Sequence, residues 1–557
     1  MSSRAASIAE VGSHERAFPA KGRSVSWVIL VSCAVLLPAL IFGIPANKDL
    51  TNHFRFAVPF YEAIRAGNFY PGWLAESNSG FGDPSFRFYP PALYYLLALA
   101  RSLTGNWYAA TLVTFSALSI AGGLGIYFWA RSTFSQTTAM WAGIFFALAP
   151  YHINQLFQAT LLAEYAGTAV LPFAFGFVDR VCLTRSRRYV AGLAATYALL
   201  ICTHLPLAIM GSMALLVYAV ARLEKPNRIE TLARLGLAGA LGLCASAIYW
   251  VTMLSELGWI GINNRAPDAS VDYRNNFLFS TFSADNLNVW WLNIIAVITL
   301  LLFAPALVLL GRKVRRIQGL NLKPSSVVTA FAVFMAVPLS WPVWRVLPPL
   351  QQTQFPWRWM AIVSMSGSIL AAASLSFWFD THQKTRRELK ILVLGGVLIS
   401  IAFSLAHTVR EAQYFTRPQF DSMLSAVRDS ESVNYWIPVW ASRAKKMTTE
   451  IEVQDRSAVV DFWKPEHRRF SVSAGAAKDA RVRTFFYPHW QASAEGQVLA
   501  TRPDHDGTLL VSLPPAATSV DLQFREPART GYSAVATACG WLIIGGLIAP
   551  IRRRRRR

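Results

Sequence analysis

VSWVILVSCAVLLPALIFGIPA, residues 25–46, is an apolar run of 22 residues without a charged side chain. A helix needs about 20 apolar residues to cross the hydrocarbon core of a bilayer. The run is too long for the core of a secretory signal peptide, and it lacks a small-x-small cleavage site. The sequence therefore predicts a retained membrane anchor near the N-terminus.

The rest of the chain has the composition of a polytopic membrane protein. Hydrophobic residues make up 54% of its 557 residues and charged residues 15%, whereas soluble domains are about 25% charged. Further apolar runs predict membrane spans at 88–103, 108–130, 138–151, 165–182, 190–204, 205–221, 232–254, 287–310, 327–343, 358–379, 391–407 and 532–551. With a short crossing from Ile153 to Ala163, we predict an all-α membrane fold of 13–14 transmembrane helices. A single kinked helix over 138–163 is the alternative.

The net charge of +22 is concentrated between the apolar runs and at the ends of the chain. This distribution follows the positive-inside rule, and it indicates anionic membrane lipids, not nucleic acid, as the partner of the basic residues. We expect both termini, 1–24 and 552–557, to be cytoplasmic. The segments expected on the outer side are 47–87, 255–286, 344–357 and 408–531.

The polar region 408–530 differs in character from the membrane domain, 25–407. Short runs of alternating hydrophobicity, such as Val520–Phe524, are separated by turn signals, such as Asp504–Gly507. Alternation between turn signals is typical of antiparallel strands. We therefore predict a small extracytoplasmic antiparallel β domain, which is followed by a final transmembrane helix at 531–551.

The first outer loop, 47–87, begins with two polar residues that could carry chemistry. If this segment is helical, Asp49 and His53 lie one turn apart on the same face. Asp is also a common helix cap, so a functional role and a capping role both remain open for Asp49. Three apolar residues further along the helix would form a strip lying on the membrane surface: Phe54, Val58 and Tyr61.

Other polar residues on the predicted outer side are further candidates. Asp83 lies in a glycine-rich turn, where Asp before Pro is also a common turn starter. Glu164 opens an apolar run, and a carboxylate in such a segment usually faces a cavity or a partner; an interfacial glutamate that reaches water is the alternative. His204 lies between two short spans, where a histidine satisfied within a helical turn is the simpler interpretation.

Two arginines and a tryptophan are candidates for binding substrate. Arg358 lies between Trp357 and Trp359, where it could grip a lipid phosphate, although aromatic-belt anchoring explains the tryptophans equally well. Arg87 is a second candidate for the phosphate. Trp73 could stack on a sugar ring or belong to the belt. The cysteines have neither disulfide nor metal-ligand spacing, and no nucleotide, zinc-protease, serine-hydrolase or haem signature is present.

A set of short motifs extends over most of the chain: Asp49 with His53, 67–73, 79–82, 88–91, 149–151, 163–166, 355–358, and 486–492 with Gly496. Together these motifs resemble the bacterial membrane family labelled "6-pyruvoyl-tetrahydropterin synthase-related", which is similar to the GT-C superfamily of polytopic glycosyltransferases. The label does not indicate pterin chemistry, because the nine histidines form no cluster that could bind zinc.

The resemblance implies a mechanism and a location. Asp49 matches the acidic residue of the first outer loop that acts as general base or holds a divalent metal. An acceptor hydroxyl would then attack the anomeric carbon of a polyprenyl-phosphate sugar. Many GT-C enzymes place a second acid beside the first. Neither neighbour of Asp49 is acidic, so His53, Asp83 or Glu164 would have to substitute. The implied setting is the bacterial cytoplasmic membrane, with a cell-envelope acceptor.

A non-enzymatic function is the alternative: a transporter or scaffold for envelope lipids or glycans. A conducting protein places polar residues along a path through the membrane. The polar candidates of this chain gather instead on one predicted side. The pattern therefore favours chemistry at the membrane surface over conduction.

Overall fold

A computed structural model describes residues 21–47, 49–223, 227–261, 270–280, 290–301, 303, 322–381, 387–428, 436–441, 447–476 and 478–549. This part of the chain is mostly helical, and an antiparallel sheet domain precedes the last helix. The predicted combination of a helical membrane domain with a β domain is thus confirmed. Both predicted cytoplasmic ends, apart from a few residues, and much of the span predicted at 287–310 lie outside the described residues.

The helices, numbered in chain order, are α1 (Lys21–Ala34), α2 (Leu37–Phe42), α3 (Asp49–Arg65), α4 (Ser85–Phe88), α5 (Ala92–Thr104), α6 (Trp107–Ala130), α7 (Gln136–Ala147), α8 (Pro150–Phe157), α9 (Leu162–Leu183), α10 (Arg187–Thr203), α11 (Leu205–Arg222), α12 (Arg228–Ala245), α13 (Ala247–Glu256), α14 (Trp290–Leu301), α15 (Lys323–Ala336), α16 (Trp341–Val346), α17 (Pro348–Gln351), α18 (Met360–Thr381), α19 (Arg387–Glu411), α20 (Arg417–Arg428) and α21 (Ala528–Ile548). Short 3₁₀ turns cover Leu257–Trp259, Tyr273–Asn275, Pro338–Ser340 and Pro356–Trp359.

Several of these helices are long and apolar enough to cross a membrane. Within the described residues there are six: Gly22–Phe42, Trp107–Ala130, Leu162–Leu183, Leu205–Arg222, Pro356–Ser376 and Ala528–Ile548. Two bent pairs raise the number to eight if each pair is one span. These pairs are α12 with Ala247–Trp259, bent by 69°, and α15 with Pro338–Val346, bent by 87°. The chain is therefore a multi-pass membrane protein, and some predicted spans, such as 88–103, correspond to shorter apolar helices.

The predicted crossing from Ile153 to Ala163 is wrong. The segment overlaps the end of the eight-residue helix α8, which is about 12 Å long at 1.5 Å per residue and cannot cross a core of about 30 Å. Pro150 opens this helix, a position that suits a residue without an N–H group. The chain then turns at Thr160, whose φ of 47° is left-handed, and α9 begins. A single helix over 138–163 is not observed either.

The β domain is built from two antiparallel sheets. Its strands are β3 (Ile451–Val453), β4 (Ala458–Trp463), β5 (His467–Val472), β6 (Asp479–Phe485), β7 (Trp490–Ala494), β8 (Gln497–Leu499), β9 (Thr501–Pro503), β10 (Thr508–Ser512) and β11 (Thr518–Phe524). One sheet has the strand order β3-β6-β10-β9, and the other has the order β4-β5-β11-β7-β8. Buried apolar side chains from both sheets, including Phe470, Val482, Leu509 and Val520, form one core.

A separate two-stranded ribbon joins the end of the first span to the chain before the β domain. Strand β1 (Ile44–Pro45) pairs antiparallel with β2 (Tyr414–Phe415). Gly43, just before β1, has a φ of 117°, and a Cβ built there would lie 2.2 Å from the carbonyl oxygen of Phe415. Only glycine fits at this position.

Helix α3 packs inside the protein and not on a membrane surface. The ring of Phe54 contacts Phe420 of α20, with 5.0 Å between the centroids, and Trp107 of α6, with 5.6 Å between the centroids. Val58 is buried as well. Pro59 lies within the helix without ending it. The ring of Tyr61 also packs against Trp107, with 5.4 Å between the centroids. The prediction of a strip on the membrane surface is therefore wrong, because Phe54 and Tyr61 pack against neighbouring helices and Val58 is buried.

Candidate functional site

A buried ion pair stands at the N-terminal end of α9. Nε of Arg358 lies 2.9 Å from Oε2 of Glu164. The other carboxylate oxygen accepts hydrogen bonds from the Tyr151 hydroxyl at 2.8 Å and from the Gln155 amide at 2.7 Å. Glu164 is 1% exposed. The alternative of an interfacial glutamate that reaches water is therefore wrong, and the carboxylate instead has three polar partners.

The arginine of this pair is held from several sides. Its Nη1 donates to the carbonyl oxygen of Thr353 at 2.9 Å, and the guanidinium lies 4.7 Å from the centroid of the Phe355 ring. Trp357 and Trp359 are buried. Buried tryptophans do not match the aromatic-belt interpretation, because a belt residue lies at the surface that meets the membrane interface.

Asp49 and His53 lie one turn apart in the first turns of α3, as their spacing predicted. Nδ1 of His53 is 3.0 Å from the hydroxyl oxygen of Tyr94. Burial lowers the pKa of His53 below its usual value of 6.5, and the nearby carboxylate of Asp49 offsets this only in part. The imidazole is therefore neutral at pH 7. Asp49 is partly exposed, accepts from the side chain of Asn52 at 3.5 Å, and forms no ion pair among the described residues.

Packing brings these two groups of residues together. The ring centroid of Tyr89 is 6.4 Å from that of His53 and 5.8 Å from that of Tyr94. Helix α3 contacts α9, and Leu50 and Ala163, which adjoin Asp49 and Glu164, belong to one buried core. His204 packs against α9, since a Cβ built at Gly167 would lie 3.2 Å from the Cβ of His204. We refer to the whole group as the first-loop cluster: Asp49, His53, Tyr89, Tyr94, Glu164, His204 and Arg358. Five of its seven members were predicted as site residues from the sequence.

His204 also has a local structural role. Its Nδ1 accepts a hydrogen bond from the backbone N–H of Leu207 at 3.2 Å, which caps α11. The side chain is 6% exposed. This geometry matches the simpler interpretation of a histidine satisfied within a helical turn.

Arg87 lies in a different buried network, at the interface between the two domains. Its Nη2 is 2.7 Å from Glu256 Oε1 and 3.0 Å from Glu526 Oε2. Arg529 and His489 also reach Glu256, at 2.9 and 3.0 Å. The guanidinium is fully buried and engaged by two carboxylates. We refer to this group as the interface network: Arg87, Glu256, Tyr487, His489, Glu526 and Arg529.

Trp73 and Asp83 stabilise the first loop. Trp73 is fully buried and packs against the rings of Tyr487, Trp490 and Phe524 at 5.6–5.8 Å. This burial contradicts the prediction that Trp73 stacks on a sugar, because no face of the ring is accessible. Asp83 is also fully buried, and its Oδ1 accepts from the backbone N–H of Ser85 at 2.9 Å. That bond matches the turn-starter interpretation.

The first-loop cluster offers one partly exposed carboxylate, that of Asp49, as a possible metal ligand. Zinc sites take three or four protein ligands, whereas Mg²⁺ is usually bound through one or two carboxylates together with substrate phosphates. Asp49 has no second carboxylate beside it in the cluster, since Glu164 is engaged by Arg358. Among the described residues, the group with ligand atoms close together is Asp504, His505 and Asp506 in the β domain, where Arg481 already pairs with both carboxylates.

Sequence reasoning missed the residues that hold the site together. Tyr151 and Tyr89 both lie in motifs that carry the family resemblance, but nothing in those motifs indicates that Tyr151 bonds to Glu164 or that Tyr89 packs against His53. Tyr487 and His489, within the aromatic motif of the β domain, contact Glu256 at 2.7 and 3.0 Å. Aromatic residues with a polar tip are frequently buried with a hydrogen-bond partner, which is the signal that could have singled them out.

The fold and the site together define a multi-pass helical membrane protein with an antiparallel β domain and a polar cluster beside its first loop. A family model described as "6-pyruvoyl-tetrahydropterin synthase related domain; membrane protein" matches residues 86–408. The match covers more than half of the chain, so the chain belongs to this family, as the sequence resemblance indicated. Among curated protein sequences, none matches the chain.

Solved structures with a similar arrangement include three membrane proteins. Arabinofuranosyltransferase AftD from Mycobacteria is 17% identical over 70% of this chain and 27% of its own, with a TM-score of 0.46. ArnT from Cupriavidus metallidurans, bound to undecaprenyl phosphate, is 14% identical over 74% of this chain and 78% of its own, with a TM-score of 0.43. The archaeal oligosaccharyltransferase AglB from Archaeoglobus fulgidus, in complex with an inhibitory peptide and a dolichol-phosphate, is 13% identical over 72% and 57%, with a TM-score of 0.40. The chain thus spans about a quarter of the length of the mycobacterial protein.

Proposed function

We propose that the protein is a membrane glycosyltransferase that moves a sugar from a polyprenyl-phosphate donor to a cell-envelope acceptor, on the outer side of the bacterial cytoplasmic membrane. One observation carries the proposal. A partly exposed carboxylate, Asp49, opens helix α3, and this helix packs against α9, where the buried guanidinium of Arg358 pairs with Glu164. A base and a cationic group in one cluster are the two parts that transfer from a phosphate-linked donor needs.

Asp49 is the general base of the proposed reaction. Its carboxylate takes the proton of an acceptor hydroxyl, and the hydroxyl oxygen forms a bond to the anomeric carbon of the donor. The bond from that carbon to the phosphate oxygen breaks on the opposite side, so the configuration inverts, and polyprenyl phosphate leaves with the electron pair. General-base catalysis of this kind contributes about 10²–10⁴-fold in rate.

Arg358 stabilises the charge of the leaving phosphate. A guanidinium has five N–H donors, and the contacts with Glu164 and Thr353 involve only Nε and one Nη1 hydrogen. The remaining donors can bind a phosphate oxygen. Glu164, held by Tyr151 and Gln155, fixes the orientation of the guanidinium before the donor arrives. Such preorganised cationic groups lower the barrier because they need no reorganisation during the reaction.

Asp49→Asn tests the base. The substitution removes the proton acceptor but keeps the shape of the side chain, and Asp49 forms no ion pair among the described residues, so the fold should persist. We expect transfer from a radiolabelled polyprenyl-phosphate sugar in proteoliposomes to fall by about 10²–10⁴-fold. Glu62→Gln, further along the same helix, is the matched control and should retain transfer. Full transfer by Asp49→Asn would remove Asp49 from the mechanism.

The same vesicles separate the enzyme from the alternative of a transporter or scaffold. A glycosyltransferase consumes the labelled lipid and produces a labelled acceptor. A transporter moves the intact lipid between leaflets, and a scaffold does neither. Movement of intact glycolipid by the wild type without turnover would refute the proposed reaction.

Sidedness has its own test. Three strongly exposed residues suit single-cysteine labelling in a chain freed of its five native cysteines: Phe69 in the first loop, Val498 in β8 and Ile229 at the start of α12, which are 71%, 83% and 85% exposed. We expect Phe69→Cys and Val498→Cys to react with a membrane-impermeant maleimide on intact cells, and Ile229→Cys to react only after permeabilisation. Labelling of Phe69→Cys and Ile229→Cys from the same side would contradict the proposed topology.

A further inference from the structure

Residues 436–441 form a short strap between the membrane domain and the β domain. On one side, the strap makes two backbone hydrogen bonds with the chain after α13. Gly261 N–H donates to Ile437 at 3.1 Å, and Val439 N–H donates to Trp259 at 3.0 Å. These bonds fix the path of the strap along the end of the membrane domain.

The β domain holds the other side of the strap. The ring of Trp440 packs edge-on against Phe486, with 5.0 Å between the centroids. Gly507, with a φ of 82°, approaches so closely that a Cβ built there would lie 2.4 Å from the carbonyl oxygen of Trp440. Phe486 in turn donates its N–H to the carbonyl of Gly507 at 2.8 Å. The strap is therefore positioned by the turn that connects β9 and β10.

Trp436, at the first residue of the strap, lies beside the first-loop cluster. Its indole stacks on Phe88, with 6.2 Å between the centroids and 14° between the planes. It also meets Tyr89 edge-on at 5.8 Å and 88°. The ring of Tyr89 lies 6.4 Å from that of His53, which follows Asp49 by one turn of α3. Tyr89 is thus the ring that lies between Trp436 and the helix that carries Asp49.

Trp436 is more accessible than Trp73 and than the two tryptophans that flank Arg358. Trp73 and Trp359 are fully buried, and Trp357 is 8% exposed, whereas Trp436 is half-buried. A half-buried indole combines a rigid support with an accessible apolar surface, and large aromatic rings supply contact area at little entropic cost. The C–H groups of a sugar ring are apolar and suit such a surface. The support here is Phe88.

We propose that Trp436 is the sugar-binding residue of the first-loop cluster, and that the β domain serves this site by holding the strap that carries it. The inference rests on the proposed function, because it requires a sugar at Asp49. It assigns the two ends of the donor to different residues: Trp436 contacts the sugar, and Arg358 contacts the phosphate.

The experiment compares two classes of lipid on the purified full-length protein. One is undecaprenyl phosphate without a sugar, and the other is a panel of undecaprenyl-phosphate-linked pentoses and hexoses. We expect Trp436→Ala to weaken binding of the best sugar-bearing lipid by roughly tenfold and to leave the affinity for undecaprenyl phosphate unchanged. Trp436→Phe should lose less than threefold. Arg358→Gln should weaken binding of both classes. Trp141→Ala, a half-exposed tryptophan packed on Phe145, is the matched control.

Each outcome decides one part of the inference. The role of Trp436 would be overturned if Trp436→Ala binds the sugar-bearing lipid as well as the wild type does. It would also be overturned if the wild type binds every sugar-bearing lipid no better than the bare lipid. The phosphate part of the proposed function would stand in both cases. A wild type that binds neither class would overturn the proposed function itself. Trp440→Ala removes the packing on Phe486, and we expect it to weaken binding of the sugar-bearing lipid as well. Wild-type binding by this variant would refute the role of the β domain.

Discussion

Arg87→Met removes the central cation of the interface network and keeps an unbranched side chain in its place. Arg87 and Glu256 are both fully buried, and Arg87 also contacts Glu526 of the segment after the β domain. In the wild type, the two carboxylates of the network face two guanidinium groups. The variant therefore leaves one uncompensated negative charge at the interface between the two domains.

The loss of stability in Arg87→Met depends on the partners that the two glutamates keep. Removal of one partner of a buried ion pair costs about 3–5 kcal/mol. Glu256 keeps Arg529 at 2.9 Å, Tyr487 at 2.7 Å and His489 at 3.0 Å, and Glu526 is 37% exposed and reaches water. We therefore expect the lower end, about 3 kcal/mol. At 1.36 kcal/mol per factor of ten, this corresponds to a domain interface that opens roughly 100-fold more often.

Hydrogen exchange of the full-length protein in detergent measures this opening. The amides to follow belong to the segment that touches the network, such as Trp490 N–H, bonded to Tyr487, and Arg525 N–H, bonded to His489. Their protection should fall by roughly 100-fold. The control is Arg274→Met, which breaks an ion pair between Asp272 and an exposed arginine; surface pairs contribute little to stability, so the protection of these amides should stay at its wild-type level.

A second variant makes the reasoning falsifiable. Arg87→Met combined with Glu526→Gln restores the balance of charge, so part of the lost protection should return. Wild-type exchange rates in Arg87→Met would refute the claim that the interface network holds the β domain to the membrane domain. No recovery in the double variant would show that the loss came from packing and not from the unpaired charge.

Two further outcomes are expected. Burial lowers the pKa of folded His53 below 6.5, so the unfolded chain binds this proton first as the pH falls. Below pH 6.5 the wild type should therefore lose up to about 1.4 kcal/mol of stability per pH unit more than His53→Gln loses. Equal shifts of the thermal unfolding midpoint in the two proteins between pH 7.5 and 5.5 would contradict the burial of His53. Asp179 pairs with Arg222 at 2.8 Å in the membrane domain, at the opposite end of α9 from Glu164. Asp179→Asn should lower stability by about 3–5 kcal/mol and keep the transfer rate per folded molecule. Glu164→Gln should lower both the stability and the transfer rate.

Local patterns in the sequence predicted the features that depend on local physics. The length of the apolar runs indicated membrane helices, because the hydrophobic thickness to be crossed is fixed. Alternation between turn signals indicated the strands of the β domain. The spacing of Asp49 and His53 placed both on one face of a helix, since residues four apart are neighbours in any α-helix.

The features that the sequence did not predict depend on contacts between distant segments. Glu164 and Arg358 were both singled out from the sequence, but nothing in either segment indicated that they pair. Arg87 was expected at the phosphate, and its carboxylate partners come from the end of α13 and from the segment after β11. Trp73 and Trp436 have the same chemistry in the sequence; only the packing of the β domain shows which ring is enclosed and which is accessible.

Apolar length also has limits as a signal. The segment from Ile153 to Ala163 was predicted to be a short crossing, but it contains the end of an eight-residue helix and a turn. The helix begins at Pro150 and ends at Phe157, shortly before the left-handed backbone at Thr160. Its residues are buried by neighbouring helices, and burial inside a bundle selects the same apolar composition as burial in lipid.

The pairing of β1 with β2 has a consequence for how the chain is made. Gly43 directly follows helix α2, and it fits against Phe415, a residue that is synthesised only after helices α3 to α19. The backbone at Gly43 and β1 therefore has no strand to pair with while those helices are being made. The β1–β2 ribbon forms late in synthesis, and it then ties the end of α2 to the segment that leads to the β domain.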